Sequence, residues 1–377
     1  MAEPVKLIAF YLPQFHEIAE NNEWWGEGFT EWTNTRKAKA LFEGHYQPRE
    51  PLNDNYYNLL DPAARDWQAE IAEQFGIYGF CYYHYWFKGK MLLEKPFEQV
   101  LKTGQPNIPF CLSWANEPWT RNWDGGENSI LMPQDYGNEA DWEEHFYYLL
   151  SAFKDKRYIR IDNKPVFVIY RSISIPCCDE MLEFWNVLAK RNGLDGIFFV
   201  TTLAGFEIDN KNRLFQAQIE FEPMHTIVHY LPYHWQVVRK IKKTARDWLI
   251  SRDYYLPASF LYTINYDSLW KLILKRKPPV KKTFPGAFID WDNSARKKKE
   301  ALIITGASPD KYETYMRKQI CRAQEVYRSE FLFINAWNEW AEGAYLEPDQ
   351  RFEYKYLEAT RKALVDGDVE TVSPHPR

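Results

Sequence analysis

The sequence predicts one α/β domain, a (β/α)8 TIM barrel with long loops after its first and sixth strands. Eight short runs of aromatic and β-branched residues have the composition of parallel strands that are buried on both faces. Segments with helical periodicity separate most of these runs, as in barrels built from repeated strand–helix units. A doubly wound open sheet is the alternative, but no glycine-rich dinucleotide turn follows the first run, which continues Leu12-Pro-Gln-Phe-His16.

The strand-like runs are short and apolar, and they recur along the whole chain. In order they are Lys6–Leu12, Ile77–Trp86, Ile108–Ala115, Pro165–Tyr170, Gly196–Thr202, Ala217–Glu222, Gly286–Asp292 and Phe331–Trp337. Hydrophobic residues make up 45% of the 377 residues, which is enough for a large buried core.

Helical periodicity marks six further segments. They are Asp61–Phe75, Phe97–Thr103, Glu139–Phe153, Asp179–Arg191, Ser308–Arg328 and Phe352–Val365. Two of them begin with an N-cap residue followed by proline, Asp61 before Pro62 and Ser308 before Pro309, which is a typical helix start.

Two insertions interrupt the regular alternation. Pro13–Leu60 follows the first strand and is rich in Trp, Gly, Asn and Tyr, and Pro223–Pro285 separates the sixth and seventh strands. Long loops after barrel strands usually build the active-site face. Residues 1–368 are therefore predicted to form one catalytic barrel, and residues 369–377 a flexible tail.

The charge balance argues against nucleic acid as a partner. Lys and Arg number 47 against 52 Asp and Glu, a net charge of −5. The basic runs Lys275–Lys282 and Arg296–Lys299 are interpreted as solvated faces or loops, with contact to a phosphate-bearing sugar carrier or an anionic membrane as the alternative. No apolar run reaches membrane-spanning length, so we expect no integral membrane segment, although peripheral contact stays open.

The cysteines indicate neither a disulfide framework nor a metal site. Their number is odd, at five, and their spacing resembles no metal knuckle. Reduced thiols and an N-terminus without a signal-peptide core favour a cytoplasmic protein. No metal or other cofactor is predicted.

Two acids follow the last predicted strand. Glu339 and Glu342 stand among tryptophans in Ala336–Gly343. An apolar environment can raise the pKa of one carboxyl until it keeps its proton near neutral pH, which is what acid/base chemistry on a sugar requires. Indole faces also suit the apolar faces of a pyranose ring.

Strand alternation predicts which side chains point to the barrel axis. In the last strand, Leu332, Ile334 and Ala336 are expected to face the helices. The residues predicted to face the axis are Cys111, Ser113, Ala115, Glu117, Gln218, Glu220, Glu222, Phe288, Asp290, Asp292, Asn335, Trp337 and Glu339. So many acids need partners, for which Arg121 and Arg171 are candidates, and at least half of them are expected to be salt-bridged scaffold.

Six segments resemble the WbsX-type polysaccharide-biosynthesis proteins, which are related to family 99 glycoside hydrolases. They are Phe10–His16, Trp24–Thr33, Gly79–Trp86, Ser113–Asp124, Phe288–Asn293 and Ala336–Asp349. The resemblance spans nearly the whole chain, and it implies a barrel fold and action on a glycan.

The resemblance also implies roles for the two acids. Glu339 would deprotonate the 2-hydroxyl of the sugar, whose oxygen attacks the anomeric carbon to give a 1,2-anhydro-sugar. Glu342 would protonate the leaving oxygen and then activate water or an acceptor hydroxyl, with retention of configuration. This route departs from the usual enzyme nucleophile, and it needs an α-manno- or α-rhamno-configured sugar. Ala341 stands where the hydrolase pattern has His, which bears on subsite contacts.

Further residues near the strand ends are candidates for glycan binding. They are His84, Trp86, Trp114, Asn116, Glu117, Trp119, Trp123, Arg171, Glu220, Glu222, Asp290, Asp292 and Asn338. A core role is an equal alternative for His84. The Asp290/Asp292 pair could instead hold a cation, although no spacing demands a metal. The first loop adds Trp24, Trp25 and Trp32, which either line distal subsites or anchor the loop.

Three functions are compatible with the sequence. The first is a retaining glycoside hydrolase acting on an oligosaccharide or polysaccharide of the bacterial surface. The second is a glycosyltransferase or transglycosylase in lipopolysaccharide O-antigen or capsule assembly. The third is a sugar-binding protein without catalysis, which the presence of both Glu339 and Glu342 disfavours.

Overall fold

Eight parallel strands close into a barrel in a computed structural model that describes residues 4–121, 129–205, 213–252, 254 and 257–370. The strands are β1 (Lys6–Tyr11), β2 (Ile77–Phe87), β3 (Phe110–Trp114), β4 (Lys164–Ile169), β5 (Phe198–Thr202), β6 (Ala217–Ile219), β7 (Thr283–Phe284 and Gly286–Phe288) and β8 (Phe331–Asn335). The predicted (β/α)8 barrel is confirmed. The strand boundaries differ from prediction by a few residues, most at β6 and β7, which end earlier.

The barrel closes through the two halves of β7. Thr283–Phe284 pairs with β6 and Gly286–Phe288 pairs with β8, while β8 pairs with β1 on its other side. A β-carbon at Gly286 would lie 1.7 Å from the carbonyl oxygen of Glu220, so the close approach of the two backbones requires glycine there.

Aromatic side chains fill the barrel interior. The ring of Phe10 lies 5.1 Å from that of Phe221 across the barrel and 5.6 Å from that of Phe333 beside it. Phe284 extends this layer, with its ring 5.8 Å from Phe333. The interior is therefore a packed core, as expected for a barrel of this size.

The helices surround the barrel and cover its mouth. They are α1 (Ala19–Trp25), α2 (Glu31–Lys37), α3 (Pro62–Gln74), α4 (Lys95–Thr103), α5 (Glu139–Phe153), α6 (Cys178–Arg191), α7 (Met224–His229), α8 (Tyr233–Ile250), α9 (Tyr266–Lys275), α10 (Ser294–Lys297), α11 (Pro309–Arg322) and α12 (Lys355–Glu370). The predicted caps are confirmed, because the Asp61 and Ser308 side chains accept hydrogen bonds from the Ala63 and Lys311 amides.

Large aromatic residues join the helices to the strands. Trp185 of α6 packs 5.6 Å from Phe167 of β4, and Trp270 of α9 stacks 5.3 Å from Phe288 of β7. Both indoles are fully buried. Truncating either one to alanine is expected to cost about 3–5 kcal/mol of stability.

The insertion after β6 differs from the predicted long loop, because most of it is helical. It contains α7, α8 and α9, and α9 takes the usual place of an outer barrel helix beside β7. At the C-terminus, α12 runs to Glu370, two residues into the predicted tail, and residues 371–377 lie outside the described part of the chain. None of the described helices is long and apolar enough to cross a bilayer.

Candidate active site

Glu339 and Glu342 lie on a tight hairpin that follows β8. Asn338–Glu339 pairs with Ala344–Tyr345, and one 3-10 turn, Trp340–Glu342, joins the two acids. Gly343 ends the turn with φ +62°, and a β-carbon there would press on Arg49 and on the Asp292 amide. Glycine is therefore required at the position that brings Glu342 back toward Glu339.

Arg296 connects the two acids to a third carboxylate. Its guanidinium lies 2.7 Å from Glu342 Oε1 and 3.6 Å from Glu339 Oε2, and it donates to both oxygens of Glu31 at 2.8 and 3.0 Å. Glu31 also accepts the Ala341 amide hydrogen at 2.9 Å, which ties α2 to the hairpin. Three carboxylates thus share one guanidinium in a buried cluster.

Burial raises the pKa of both acids on the hairpin. For Glu339 the carboxylate of Glu342 adds to this effect and Arg296 only partly offsets it, so its pKa lies well above the ordinary range. Burial also raises the pKa of Glu342, while the direct ion pair with Arg296 opposes the change. The shorter contact with Arg296 therefore favours the charged form of Glu342 more strongly than that of Glu339.

A cavity of about 840 Å³ opens above this cluster. Tyr83 and Tyr85 of β2 and Phe221 line it together with Glu339 and Glu342. Burial, reinforced by the charge of Glu339, keeps the pKa of both tyrosine hydroxyls well above its ordinary value, so they remain hydrogen-bond donors. Hydroxyl donors, aromatic faces and paired carboxylates together suit a sugar.

A second cavity of about 700 Å³ adjoins the first, and Trp119 and Arg296 line both. Trp25 and Phe29 from the first long loop line this second cavity. The two cavities share side chains, and we refer to them together as the cleft. Its extent is sufficient for several sugar units.

A buried network holds the hairpin in place behind the cleft. Glu347 accepts hydrogen bonds from the Trp340 indole at 2.6 Å, from the Tyr57 hydroxyl at 2.8 Å and from the Gln68 amide at 2.6 Å. Burial raises the pKa of Glu347 to about 7, although these donors lower it. Trp340 directly follows Glu339, so the network fixes the backbone that carries the acid.

Three of the residues predicted to bind glycan line the cleft. They are Glu117, Trp119 and Arg171. Glu117 and Arg171 form a half-exposed ion pair with 2.5 Å between Oε1 and Nε. Contact between these side chains and a sugar stays a prediction.

His84, Trp86 and Trp114 were predicted to bind glycan, but they lie on the outer side of the barrel strands and do not line the cleft. His84 lies 2.8 Å from His145 of α5, whose ring stacks 4.4 Å from Trp86. Trp114 packs against the same histidine at 4.8 Å. The alternating residues Tyr83 and Tyr85 occupy the inner face instead, and burial lowers the pKa of His84 to about 3, as for a core histidine.

Glu220 and Glu222 also face outward, contrary to prediction. Phe221 between them points into the barrel, and both acids bind Arg276, at 2.5 and 2.7 Å. Tyr327 donates to Glu220, and Thr226 donates to Glu222. The sequence pattern misplaced them because it assumed that apolar residues face the helices, whereas this barrel fills its interior with aromatic rings.

The predicted inner face of β7 is likewise reversed. Phe288 packs on α9, and Trp291 rather than its acidic neighbours lines the cleft. Asp290 pairs with Arg49 at 2.7 Å. Asp292 accepts from His45 and Gln47 of the first loop. Burial raises the pKa of Asp292, but His45, Arg49 and Ser294 together lower it to about 2, so this carboxylate anchors the loop.

Two predicted asparagines connect strand ends instead of facing the cleft. Asn338 exchanges hydrogen bonds of 2.7 and 3.0 Å with the Leu12 backbone. Asn116 does the same with Arg171, at 2.8 Å in both directions. In β8 the alternation places Asn335 at the cleft as predicted, but the strand ends there, and Trp337 is fully buried against Phe80.

Two central residues of the site were not predicted from the sequence. Arg296 belongs to a run interpreted as solvated, yet it is buried and binds three acids. Glu31 is in the first turn of α2, and its local signal is the Thr30/Thr33 capping pair. Within the same motif, Trp32 anchors the loop through its indole bond to the Tyr57 carbonyl, and Trp24 packs on Trp119.

One residue predicted to bind glycan, Trp123, lies outside the described residues. Across the described ranges, no group of three His, Cys, Asp or Glu side chains is arranged to hold a metal ion. Glu31, Glu339 and Glu342 are paired with Arg296 instead.

A (β/α)8 barrel with two buried carboxylates at its C-terminal mouth, under an aromatic cleft, has the features of a glycan-processing enzyme. The profile described as "Glycosyltransferase WbsX" matches residues 7–360. The chain belongs to this WbsX family.

Two curated relatives match almost the whole chain. Two proteins described as "Uncharacterized protein WxcX", from two strains of Xanthomonas campestris pv. campestris, are each 35% identical over 366 residues. The match covers 96% of this chain but about half (50%) of each relative.

The fold is similar to that of the GH99 endo-alpha-mannosidase from Bacteroides thetaiotaomicron. In its complex with BIS-TRIS-propane the TM-score is 0.56 at 13% identity, covering 98% of this chain and 99% of that one. A second structure of the same enzyme gives a TM-score of 0.54 at 14% identity, with coverage of 97% of this chain and 98% of that one. A "Glycoside hydrolase-like protein" also scores 0.56, at 12% identity, with coverage of 96% and 94%. At such identities the similarity establishes the fold.

Proposed function

We propose that this protein is a retaining glycoside hydrolase that cleaves an α-manno- or α-rhamno-configured glycan of a bacterial surface polysaccharide. The observation that carries the proposal is the pair Glu339 and Glu342, which line one cavity under a common guanidinium, Arg296. Paired carboxylates of raised pKa are what glycoside cleavage needs.

In the proposed mechanism, Glu339 removes the proton of the 2-hydroxyl, and the 2-oxygen attacks the anomeric carbon. Glu342 donates its proton to the leaving oxygen, and a 1,2-anhydro-sugar forms. Glu342 then takes a proton from water, which opens the anhydro ring at the anomeric carbon, and Glu339 returns the proton to the 2-oxygen. Two inversions give net retention.

The electrostatics of the free site set a condition on these roles. Glu342 holds the direct ion pair with Arg296, which favours the charged form of Glu342, whereas the mechanism starts with Glu342 protonated. Substrate binding must therefore favour the protonated form of Glu342, for example by drawing Arg296 away from it. The same acids with exchanged roles are the alternative that the experiment must distinguish.

The experiment compares Glu342→Gln and Glu339→Gln on two α-mannosides, one with a nitrophenyl and one with a sugar leaving group. The comparison uses kcat/KM, which reports cleavage of the glycosidic bond and not the later attack of water, in which Glu342 also acts. On kcat/KM, loss of the general acid matters little for a good leaving group but costs about 10²–10⁴-fold for a poor one. We expect that difference for Glu342→Gln only, with Glu339→Gln equally impaired on both substrates. The matched control is Glu358→Gln, an exposed acid on α12.

The opposite pattern would exchange the roles, and full activity in both variants would reject the site. Product analysis by NMR tests the stereochemistry, because an inverted first product contradicts the neighbouring-group route. The substrates should also include α-rhamnosides, since both sugars place the 2-hydroxyl trans to the leaving group.

The name of the matched family favours a second candidate, a glycosyltransferase or transglycosylase in polysaccharide assembly. In that case an acceptor hydroxyl replaces water in the second half of the reaction, and the same two acids act. Transfer to an added sugar acceptor without release of free sugar would support this function over hydrolysis. The chain spans about half the length of its curated relatives, so any activity of a longer protein is a separate proposal.

A further inference from the structure

The charge of the cleft differs in sign from that of the whole protein. The chain has a net charge of −5. Among the described residues that line the two cavities, eleven are Lys or Arg and five are Glu. Neutral sugars need no such excess of cations, because hydroxyls are bound by neutral donors and aromatic faces.

Helix α8 supplies the most concentrated part of this excess. Arg239, Lys242, Lys243 and Arg246 lie on one side of the helix, and all four line the cavity that contains Glu339. Their spacing of three and four residues puts their side chains next to one another on the helix surface. Four neighbouring cations repel each other, so an anion bound between them would be stabilised.

Internal pairing accounts for only part of this charge. Arg246 binds Asp247 at 3.0 Å, and the Arg239 guanidinium lies 4.7 Å from the ring centre of Tyr262. Lys242 and Lys243 make no ion pair with a carboxylate in the part of the chain that the structure describes. Of the three other cations that line this cavity, Arg171 and Arg296 are bound by acids and Lys297 is the third. Most of the charge that acids do not compensate therefore lies on α8.

We propose that the cleft takes an anionic glycan, and that Lys242 and Lys243 of α8 bind its carboxylate or phosphate groups. The inference rests on the proposed function, because it names the substrate class of the same site. Positive side chains along a cleft concentrate an anionic ligand and orient it before the reaction. The anion could be a uronic acid in the glycan or a phosphate on the anomeric carbon of a donor.

The test measures binding without turnover, by calorimetry on the Glu342→Gln protein. The probes are a galacturonate trisaccharide, a neutral mannotriose and inorganic diphosphate. We expect at least one anionic probe to bind at least tenfold more tightly than mannotriose, with an affinity that falls as salt is added. Preference for galacturonate would identify a uronic acid as the source, and preference for diphosphate a glycosyl phosphate.

Two double variants and a control assign the effect to α8. Lys242→Gln/Lys243→Gln should weaken the anionic probe at least tenfold, while Lys242→Arg/Lys243→Arg, which keeps the charge, should retain it. Lys240→Gln, an exposed lysine on the same helix outside the cavity, should change nothing. Melting curves confirm that each variant is folded.

Equal or tighter binding of mannotriose, no binding of either anion, or unchanged affinity in the Lys242→Gln/Lys243→Gln protein would overturn the proposal. Because the assay needs no catalysis, it gives its answer even if Glu339 and Glu342 prove not to carry out the reaction. Conversely, the leaving-group experiment with neutral mannosides tests the acids without reference to α8.

Discussion

Two buried clusters in this protein consist of the same residue types, arginine and glutamate, but differ in their surroundings. Arg276 binds Glu220 and Glu222 between the barrel and its helices, where both acids are fully buried. Arg296 binds Glu31, Glu339 and Glu342 at the barrel mouth, where the Glu342 side chain is 23% exposed to the cleft.

The clusters differ in how completely their oxygens are satisfied. Around Arg276, hydroxyls of Tyr327 and Thr226 complete the hydrogen bonds of the acids. Around Arg296 three acids share one cation, and burial raises the pKa of Glu339 and of Glu342 more than this cation lowers it. A satisfied cluster in the dry interior holds the scaffold, whereas an under-compensated cluster that faces a cavity is poised to exchange a proton.

The largest expected effect comes from breaking the satisfied cluster. Arg276→Met leaves Glu220 and Glu222 buried without a cation and should lower the free energy of unfolding by about 3–5 kcal/mol. Urea denaturation measures it. Arg361→Met, at an exposed site on α12, should change stability by less than about 0.5 kcal/mol. Equal stability of the two variants would mean that the Arg276 cluster is not scaffold.

Glu347 is a buried acid that forms no ion pair with an arginine in the described part of the chain, so it extends the comparison. The folded-state pKa of Glu347 is about 7, above its ordinary value of 4.5, so the folded protein holds this proton more tightly than the unfolded chain. Stability therefore falls as pH rises from about 4.5 to 7, by up to about 3 kcal/mol. Glu347→Gln should flatten this fall.

The measurement for Glu347 is the free energy of unfolding at several pH values between 5 and 8. Glu358→Gln on α12 serves as the control, because its side chain is exposed. The prediction concerns the slope, since the substitution also alters hydrogen bonds to Trp340 and Tyr57. An unchanged slope would show that Glu347 ionises as easily in the folded protein as in the unfolded one.

The smallest effect is expected from replacing Arg296, the arginine shared by the three acids. Arg296 lowers the pKa of Glu339 and of Glu342, so Arg296→Met should raise both and move both limbs of the pH–activity profile to higher pH. Activity near neutral pH should fall about tenfold, or about 1.4 kcal/mol in barrier. Its loss of stability should be below that of Arg276→Met. A profile that stays in place would mean that Arg296 does not set these pKa values.

Part of the fold and of the candidate site could be predicted from the sequence. Strand composition and the caps at Asp61 and Ser308 are local signals, and they predicted the barrel and its helix starts. The hairpin acids Glu339 and Glu342 were found because they directly follow a strand. It was harder to predict which face of each strand points to the barrel axis. A barrel strand is buried on both faces, so composition alone does not distinguish the inner face from the outer one.

The misplaced residues share a physical cause. Glu220 was assigned to the axis because its apolar neighbours were expected to face the helices, but its partner Arg276 comes from a helix end 56 positions later in the chain. Arg296 and Glu31 likewise meet 265 positions apart. Such pairs depend on how two distant loops fold against each other, which no local pattern records.

The hydrogen bond from the Leu12 amide to Asn338 has a consequence for folding during synthesis. Its two residues are 326 positions apart, and the Glu31 contact to Ala341 spans 310. During translation the first loop is synthesised long before the hairpin. Its contacts with the hairpin can therefore form only after nearly the whole chain has been synthesised. Nascent or prematurely terminated chains would therefore lack the candidate active site altogether.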